Sequence, residues 1–206
     1  MERGYRPAIH PHQRHPRGWL DWTGHPRHSA GRGLSTLGWM MEMRFLCDEM
    51  LHGLGRWLRA AGYDSRIAGM GTADADLLRQ ALSEGRLLLS RDRKLLEYRG
   101  AGRAVLWLEA NDLEGCAMEL CHRVELNWLY RPFSRCLQCN TPLRSTSAAV
   151  WPDLPDTVRA SGMVLWCCPV CRKVYWEGSH VTRMRARLQE WQRRCRGEGP
   201  VPGPAG

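Results

Sequence analysis

Two sets of residues in this 206-residue chain have the types and spacing that chemistry requires. The first is Cys136-Leu-Gln-Cys139 and Cys168-Pro-Val-Cys171. Two thiolates three positions apart in one tight turn can face a single ion, and two such turns complete a tetrahedron. The softness of sulfur selects Zn2+, and four thiolates leave no coordination position open, so the expected zinc is structural. The 28 residues between the pairs exceed the roughly 15–20 of common ribbons, and Trp151-Pro-Asp-Leu-Pro-Asp156 reads as a loop insertion within them. A thioredoxin-like redox pair is the alternative, disfavoured because neither motif opens a helix inside a βαβ unit. Cys167 competes with Cys168, but Cys-Pro-x-Cys makes the better turn. Cys47, Cys116, Cys121 and Cys195 are expected as unpaired thiols, buried or free.

The second set is acidic. Asp48 directly follows the apolar run ending at Cys47, and Asp92 follows Leu87-Leu-Leu-Ser-Arg91. Asp112 comes after Val105 to Leu108, while Asp74 and Asp76 open the segment between. In a parallel α/β sheet, functional residues gather just past the carboxyl ends of strands. Carboxylates brought together repel and raise one another's pKa, a cost that a hard divalent cation such as Mg2+ or Mn2+ removes. Such ions activate water and stabilise a leaving oxygen, so the expected chemistry is metal-assisted phosphodiester hydrolysis. The competing reading is capping, because Asp is common at helix starts and turns. Two other acid-pocket chemistries fit less well. A phospho-acceptor receiver needs a lysine on a late strand, and Arg103 to Leu108 has none. A haloacid-dehalogenase phosphatase needs Asp-x-Asp, where this chain has Asp48-Glu49-Met50.

These residues need elements to hold them. Met43–Cys47, Tyr63–Ala68, Arg86–Ser90 and Arg103–Leu108 read as short strands. Leu51, Leu54, Leu58 and Ala61 recur at helical spacing until Gly62 stops them. Asp74–Ser83 and Asp112–Asn127 read as further helices, and Leu95–Tyr98 as a helical turn. Strands alternating with helices predict an α/β sandwich with a parallel sheet. Residues 43–130 are the expected first domain, and residues 131–196 a zinc ribbon followed by an amphipathic helix. That helix has Val181, Met184, Leu188 and Trp191 as its apolar stripe and Arg183, Arg187, Arg193 and Arg194 opposite. Residues 1–42 hold five of the eight histidines without a periodic apolar pattern, and are expected to be a disordered leader. Residues 197–206, rich in Gly and Pro, read as a tail.

The net charge of +9 comes almost wholly from arginine and favours a polyanionic partner. No stretch is apolar enough to span a bilayer, and no secretory signal opens the chain. Nine cysteines in that setting point to metal ligation rather than a disulfide framework, and the expected location is cytoplasmic. Collagen, coiled coil, bulk disorder and membrane protein are excluded.

Three blocks carry a resemblance. Met43-Arg-Phe-Leu-Cys-Asp-Glu-Met-Leu-His-Gly-Leu-Gly-Arg-Trp-Leu-Arg-Ala-Ala-Gly-Tyr-Asp64 resembles the opening of the Mut-seven C-terminal RNase family, a branch of the PIN-like nucleases. Asp74-Ala-Asp-Leu-Leu-Arg-Gln-Ala and Glu84-Gly-Arg-Leu-Leu-Leu-Ser-Arg-Asp92 resemble its middle block. Cys168-Pro-Val-Cys-Arg-Lys-Val-Tyr-Trp-Glu-Gly-Ser-His180 resembles its zinc-ribbon block. The likeness implies a PIN-like fold, ribonuclease activity and dependence on Mg2+ or Mn2+. It places the metal-binding acids at Asp48, Asp74 and Asp92, with Asp76 and Asp112 as secondary members. Ser90 stands where relatives commonly carry Thr, and both supply a hydroxyl.

The RNA contacts expected on this basis are Arg56 and Arg59 on the helix after Asp48, Arg91, Lys173, and Arg183 and Arg187 on the last helix. Tyr175 and Trp176 are placed to stack on bases or else to pack the ribbon against the first domain. His180 is expected in a local hydrogen bond or at RNA. The function expected overall is metal-dependent cleavage of RNA. The alternative is a non-catalytic RNA-binding zinc-ribbon protein with a degenerate PIN-like domain. The RNA substrate, endo- or exonucleolytic action and the oligomeric state stay open.

Overall fold

The structure, a computed structural model, describes residues 43–198. The expected leader lies outside these residues, as does all of the expected tail except Gly197 and Glu198. Four short strands form one parallel sheet: β1 (Arg44–Cys47), β2 (Asp64–Ile67), β3 (Leu87–Ser90) and β4 (Val105–Trp107), in the order β2-β1-β3-β4. Their registers pair Arg44 with Asp64, Phe45 with Leu87 and Ser90 with Trp107. Because β1 and β3 are central, their side chains are almost wholly apolar and buried, from Phe45 to Cys47 and from Leu88 to Ser90.

Helices cover both faces. α1 (His52–Ala61) ends as its spacing predicts, with Gly62 in the left-handed conformation at φ 100°. A side chain there would also strike the Arg131 carbonyl oxygen, which lies 2.3 Å from the position a Cβ would take. Gly55 lets α1 sit close on the sheet, since a Cβ would fall 2.6 Å from the Ile67 side chain. α2 (Asp74–Glu84) packs Leu77, Leu78 and Ala81 on the other face with Leu46, Leu88 and Leu95. α3 (Leu113–Val124) lies with α1, and Asp112 caps it by accepting from the Gly115 amide at 2.8 Å.

The second region holds a three-stranded antiparallel sheet of β5 (Arg144–Thr146), β6 (Leu165–Cys167) and β7 (Val174–Trp176), with α4 (Asp156–Ala160) in the long insertion. Its own core is small: Leu154, Val158 and Leu165, with Trp151 and Trp176 against them. The last helix, α5 (Ser179–Cys195), turns away from this ribbon. It sinks Leu188 and Trp191, both fully buried, into the same core as Phe45, Leu54 and Trp128. Gln192 accepts from the Trp128 amide at 2.6 Å, and the Trp191 indole donates to Glu114 at 2.8 Å.

One expectation is corrected here. Cys121 and Cys195 are not unpaired thiols but form a disulfide across 74 residues, with Cα atoms 6.2 Å apart. The physical reason is the docking of α5, which brings its last turn over the end of α3. No local spacing could signal that pair. Cys47 and Cys116 remain free and buried, and burial pushes the Cys47 thiol up to about 12.

Candidate functional site

The cysteines converge. One sulfur from each of Cys136, Cys139, Cys168 and Cys171 lies within 4.8 Å of all the others, with Cys136 to Cys171 at 3.4 Å and Cys139 to Cys168 at 3.3 Å. The two motifs build the same turn twice. In each, the amide of the second cysteine points at the first sulfur, at 3.5 Å for Cys139 and 3.4 Å for Cys171. In each, the following residue adopts positive φ, 69° at Asn140 and 61° at Arg172. Cys167 stays outside the group, as the choice of Cys168 requires.

The donor set fits zinc. A Zn–S bond of about 2.3 Å in a tetrahedron sets sulfurs roughly 3.8 Å apart, close to the observed spacing. The thiols also titrate apart. Burial alone would raise Cys139, but hydrogen bonding with Thr141, Cys168 and Cys136 outweighs it and lowers its pKa to about 6. Burial, with the adjoining sulfurs adding to it, raises Cys171 to about 12. Four thiolates this close ionise together only around a cation.

The acids are arranged differently. At the carboxyl margin of the sheet, Asp48 is buried at 7% exposure and its amide continues the ladder by donating to the Leu89 carbonyl. Its Oδ1 accepts from the Glu49 amide at 2.6 Å and caps the turn Glu49–Leu51. Its Oδ2 accepts from the Ser90 hydroxyl at 2.6 Å. The same Ser90 Oγ, fully buried, accepts from the Asp92 amide at 2.9 Å. Asp92 in turn caps the turn Arg93–Glu97, its Oδ1 accepting from the Lys94 amide at 2.8 Å. Ser90 thus joins the two strand ends that carry Asp48 and Asp92.

The other expected acids are not drawn into this link. Asp112 caps α3, Asp76 pairs with Arg79 at 2.5 Å, and Asp74 is partly buried in the first turn of α2. Among the described residues, no three carboxylates or imidazoles gather as the four cysteines do. Glu49 escaped the sequence reading: its Oε2 accepts from the Gly71 amide at 2.6 Å and ties the β2–α2 loop to the first strand end.

The basic residues divide sharply. Arg59 corrects the expectation that it faces phosphate. Its exposure is 6%, and its guanidinium donates to the carbonyls of Ser65 (2.8 Å), Leu137 (3.0 Å) and Gln138 (2.7 Å). It is a strut between the open edge of β2 and the first cysteine turn. Asn140 reinforces the same joint, accepting from the Ser65 amide at 3.1 Å and donating to Asp64 at 2.7 Å. Asp64 is held below the usual carboxylate range: burial opposes this, but hydrogen bonds from Arg86 and Asn140 prevail. An asparagine directly after a Cys-x-x-Cys pair, a residue type that tolerates positive φ, is the sequence signal that could have found it.

Arg187 pairs with Glu114 at 2.9 Å and lies over Trp57 and Trp191. Arg91 donates to Asn111 at 2.7 Å. Arg56, Lys173 and Arg183 are exposed, as is His180. The Tyr175 hydroxyl lies 3.1 Å from the Cys136 sulfur and Trp176 packs against the ribbon core, and both side chains stay half-buried. A 540 Å3 groove follows the β2 edge, lined by Arg59, Asp64, Arg66, Thr72 and Asn140. Its charges are spent on neighbours, Arg66 on Glu84 and Asp64 on Arg86.

This is the geometry of an α/β protein with acids past its parallel strand ends and a four-cysteine corner braced against one sheet edge. The family model for the Mut7-C RNAse domain matches residues 43–188, and the chain belongs to that family. It is also similar to the human protein named exonuclease mut-7 homolog, 34% identical over 105 residues. The alignment covers 47% of this chain and 12% of the human protein, so the chain spans a small fraction of that relative. No solved structure matches the chain at a significant level. No helix among the described residues is long and apolar enough to cross a membrane.

Proposed function

We propose that this chain is a metal-dependent ribonuclease with a PIN-like sandwich, working at the margin formed by Asp48, Ser90 and Asp92. The observation that carries the reading is the buried Asp48 carboxylate tied through one hydroxyl to the strand end of Asp92. That buried carboxylate accepts from one amide and one hydroxyl, and among the described residues no Lys or Arg is one of its hydrogen-bond partners. Asp48 and Asp92 are the residues that would hold Mg2+ or Mn2+, which takes one or two carboxylates and keeps several waters. When bound, such an ion supplies charge neutralisation and water activation for phosphodiester hydrolysis.

The chain's own part is positional. The Ser90 hydroxyl donates to Asp48, so that oxygen is held in place. The capped turns after Asp48 and Asp92 hold one oxygen of each carboxylate on a backbone amide. Asp74, at the start of α2, is the third acid the reading assigns. Exposed Arg56, Lys94 and Arg93 supply positive charge for phosphates around the acids. The zinc corner holds the ribbon and, through Arg59, the β2 edge.

The second reading, an RNA-binding module without catalysis, is favoured by one observation: among the described residues no three carboxylates form a tight group. The test is cleavage of labelled RNA with Mg2+, Mn2+ or chelator, comparing the natural chain with Asp48→Asn. The nuclease reading expects metal-dependent cleavage, reduced at least about 100-fold by the substitution, since metal stabilisation is worth several kcal/mol. Equal RNA binding by both proteins with no cleavage under any condition would establish the second reading.

A further inference from the structure

We infer that Trp107 is a nucleobase-stacking platform beside the acid margin. The inference rests on the ribonuclease reading and adds a residue that would hold an unpaired base of the substrate.

The placement follows from strand register. Trp107 is the direct neighbour of Ser90 across β3 and β4, and register neighbours in a parallel sheet point to the same face. Ser90 contacts Asp48 on the next strand. Asp48, Ser90 and Trp107 therefore form one row across three adjacent strands at the margin. Two strand spacings of about 4.8 Å put Trp107 roughly 10 Å from Asp48.

Trp107 closes β4, an edge strand whose three residues are all half-buried, so its ring reaches the surface, unlike Trp128 and Trp191. Its indole Nε1–H donates to the Arg91 carbonyl at 3.2 Å, which fixes the plane of the ring. Arg123 holds the backbone beneath it by donating to the Trp107 carbonyl at 2.8 Å. The ring face is covered by the Arg93 guanidinium, 5.5 Å from the centroid. Arg93 is exposed and sits one residue after Asp92, so it can leave the ring without disturbing the core.

A ring held rigid at its edge and covered on its face by an exposed cation suits an exchange. A base stacks on the indole where the guanidinium lay, and the freed Arg93 meets a phosphate. Base–aromatic stacking tolerates any sequence because every base has a π-face, and it requires an unpaired base. A duplex presents its bases already stacked on one another.

The experiment measures binding of a fluorescein-labelled single-stranded RNA to the full chain in the Asp48→Asn background, so that the RNA survives. Trp107→Leu keeps an apolar side chain and removes the π-face, while Trp107→Phe keeps an aromatic face. The inference expects about 5- to 100-fold weaker binding for Trp107→Leu. It expects Trp107→Phe to stay within about threefold of the parent, and the Leu penalty to vanish on an oligonucleotide of abasic ribose phosphates. Equal binding by the Leu and Phe variants, or an equal Leu penalty with and without bases, would overturn it. Circular dichroism of both variants confirms folding, and the Phe variant carries the comparison if Leu fails to fold. If stacking is found but the natural chain cleaves nothing, the platform stands and the nuclease reading falls. If cleavage is found while Leu binds as the parent does, the reverse holds.

Discussion

Four sulfurs at the ribbon end of the molecule meet within 4.8 Å, while at the sheet margin no three carboxylates come so close among the described residues. The difference lies in what holds each group. Every sulfur sits in a turn built by its own motif, so spacing of three residues fixes the geometry. Each acid ends a different strand or opens a different helix, and Asp48, Asp92 and Asp112 each spend an oxygen on a local amide. A thiol corner is organised by local sequence. A carboxylate margin is organised by the sheet, and like charges keep its members apart.

The largest effect expected from this contrast is on removal of zinc. Structural zinc contributes about 10–16 kcal/mol in small zinc-finger peptides, and the ribbon core of Leu154, Val158 and Leu165 is too small to replace it. Chelation should expose the amides of β5, β6 and β7 to hydrogen exchange. The amides of β1 and β3 should stay protected, and so should α5, because Leu188, Trp191 and the Cys121–Cys195 disulfide fasten it to the first core. Loss of α5 together with the ribbon would break the distinction between the two regions.

The next effect concerns the joint between them. Arg59→Met should destabilise the chain by about 3 kcal/mol in urea, because the carbonyls of Ser65, Leu137 and Gln138 lose their donor inside the protein. The substitution should loosen the first cysteine turn more than the second, visible as faster zinc release. A stability unchanged within error would mean the joint carries no load.

Smaller still is Ser90→Ala. It removes the one hydroxyl that donates to Asp48 and accepts from the Asp92 amide, and should cost about 1–2 kcal/mol, measured by thermal melting. Ser90→Thr should restore most of it. Cleavage should fall with Ala and recover with Thr.

The smallest effect is acid sensitivity. Burial works against Glu114, but hydrogen bonds from the Trp191 indole and Arg187 hold it below its ordinary value. A carboxylate depressed in the folded state stabilises above its unfolded pKa, near 4, and loses that contribution as pH falls through the lower folded value. Stability of the α3–α5 contact should therefore drop below about pH 4, by less than about 1 kcal/mol because the pair is partly solvated. Glu114→Gln should flatten that portion of the pH profile.

Much of this architecture can be read from the residues. The parallel order follows from alternating apolar runs and helical spacing, and Gly62 marks the end of α1 where it should. The four-cysteine group was legible because its geometry is local. Three features were not. Arg59 looks like a solvated helix arginine until the ribbon folds back on it. The Cys121–Cys195 pair is set by a helix crossing the core 74 residues later. α5 carries an arginine-rich face that suggests an exposed RNA contact, yet Arg187 and Arg194 are both drawn to Glu114. In each case the deciding partner is far away in sequence, and pattern alone holds no information about it.

The account turns on Asp48 and Asp92 sharing one hard cation at the sheet margin. Anomalous diffraction from crystals of the full chain soaked in Mn2+ tests this directly. The account predicts a manganese peak between the two carboxylates, with the Ser90 hydroxyl still on Asp48. Manganese bound elsewhere, with both carboxylates left on their turn amides alone, would contradict it.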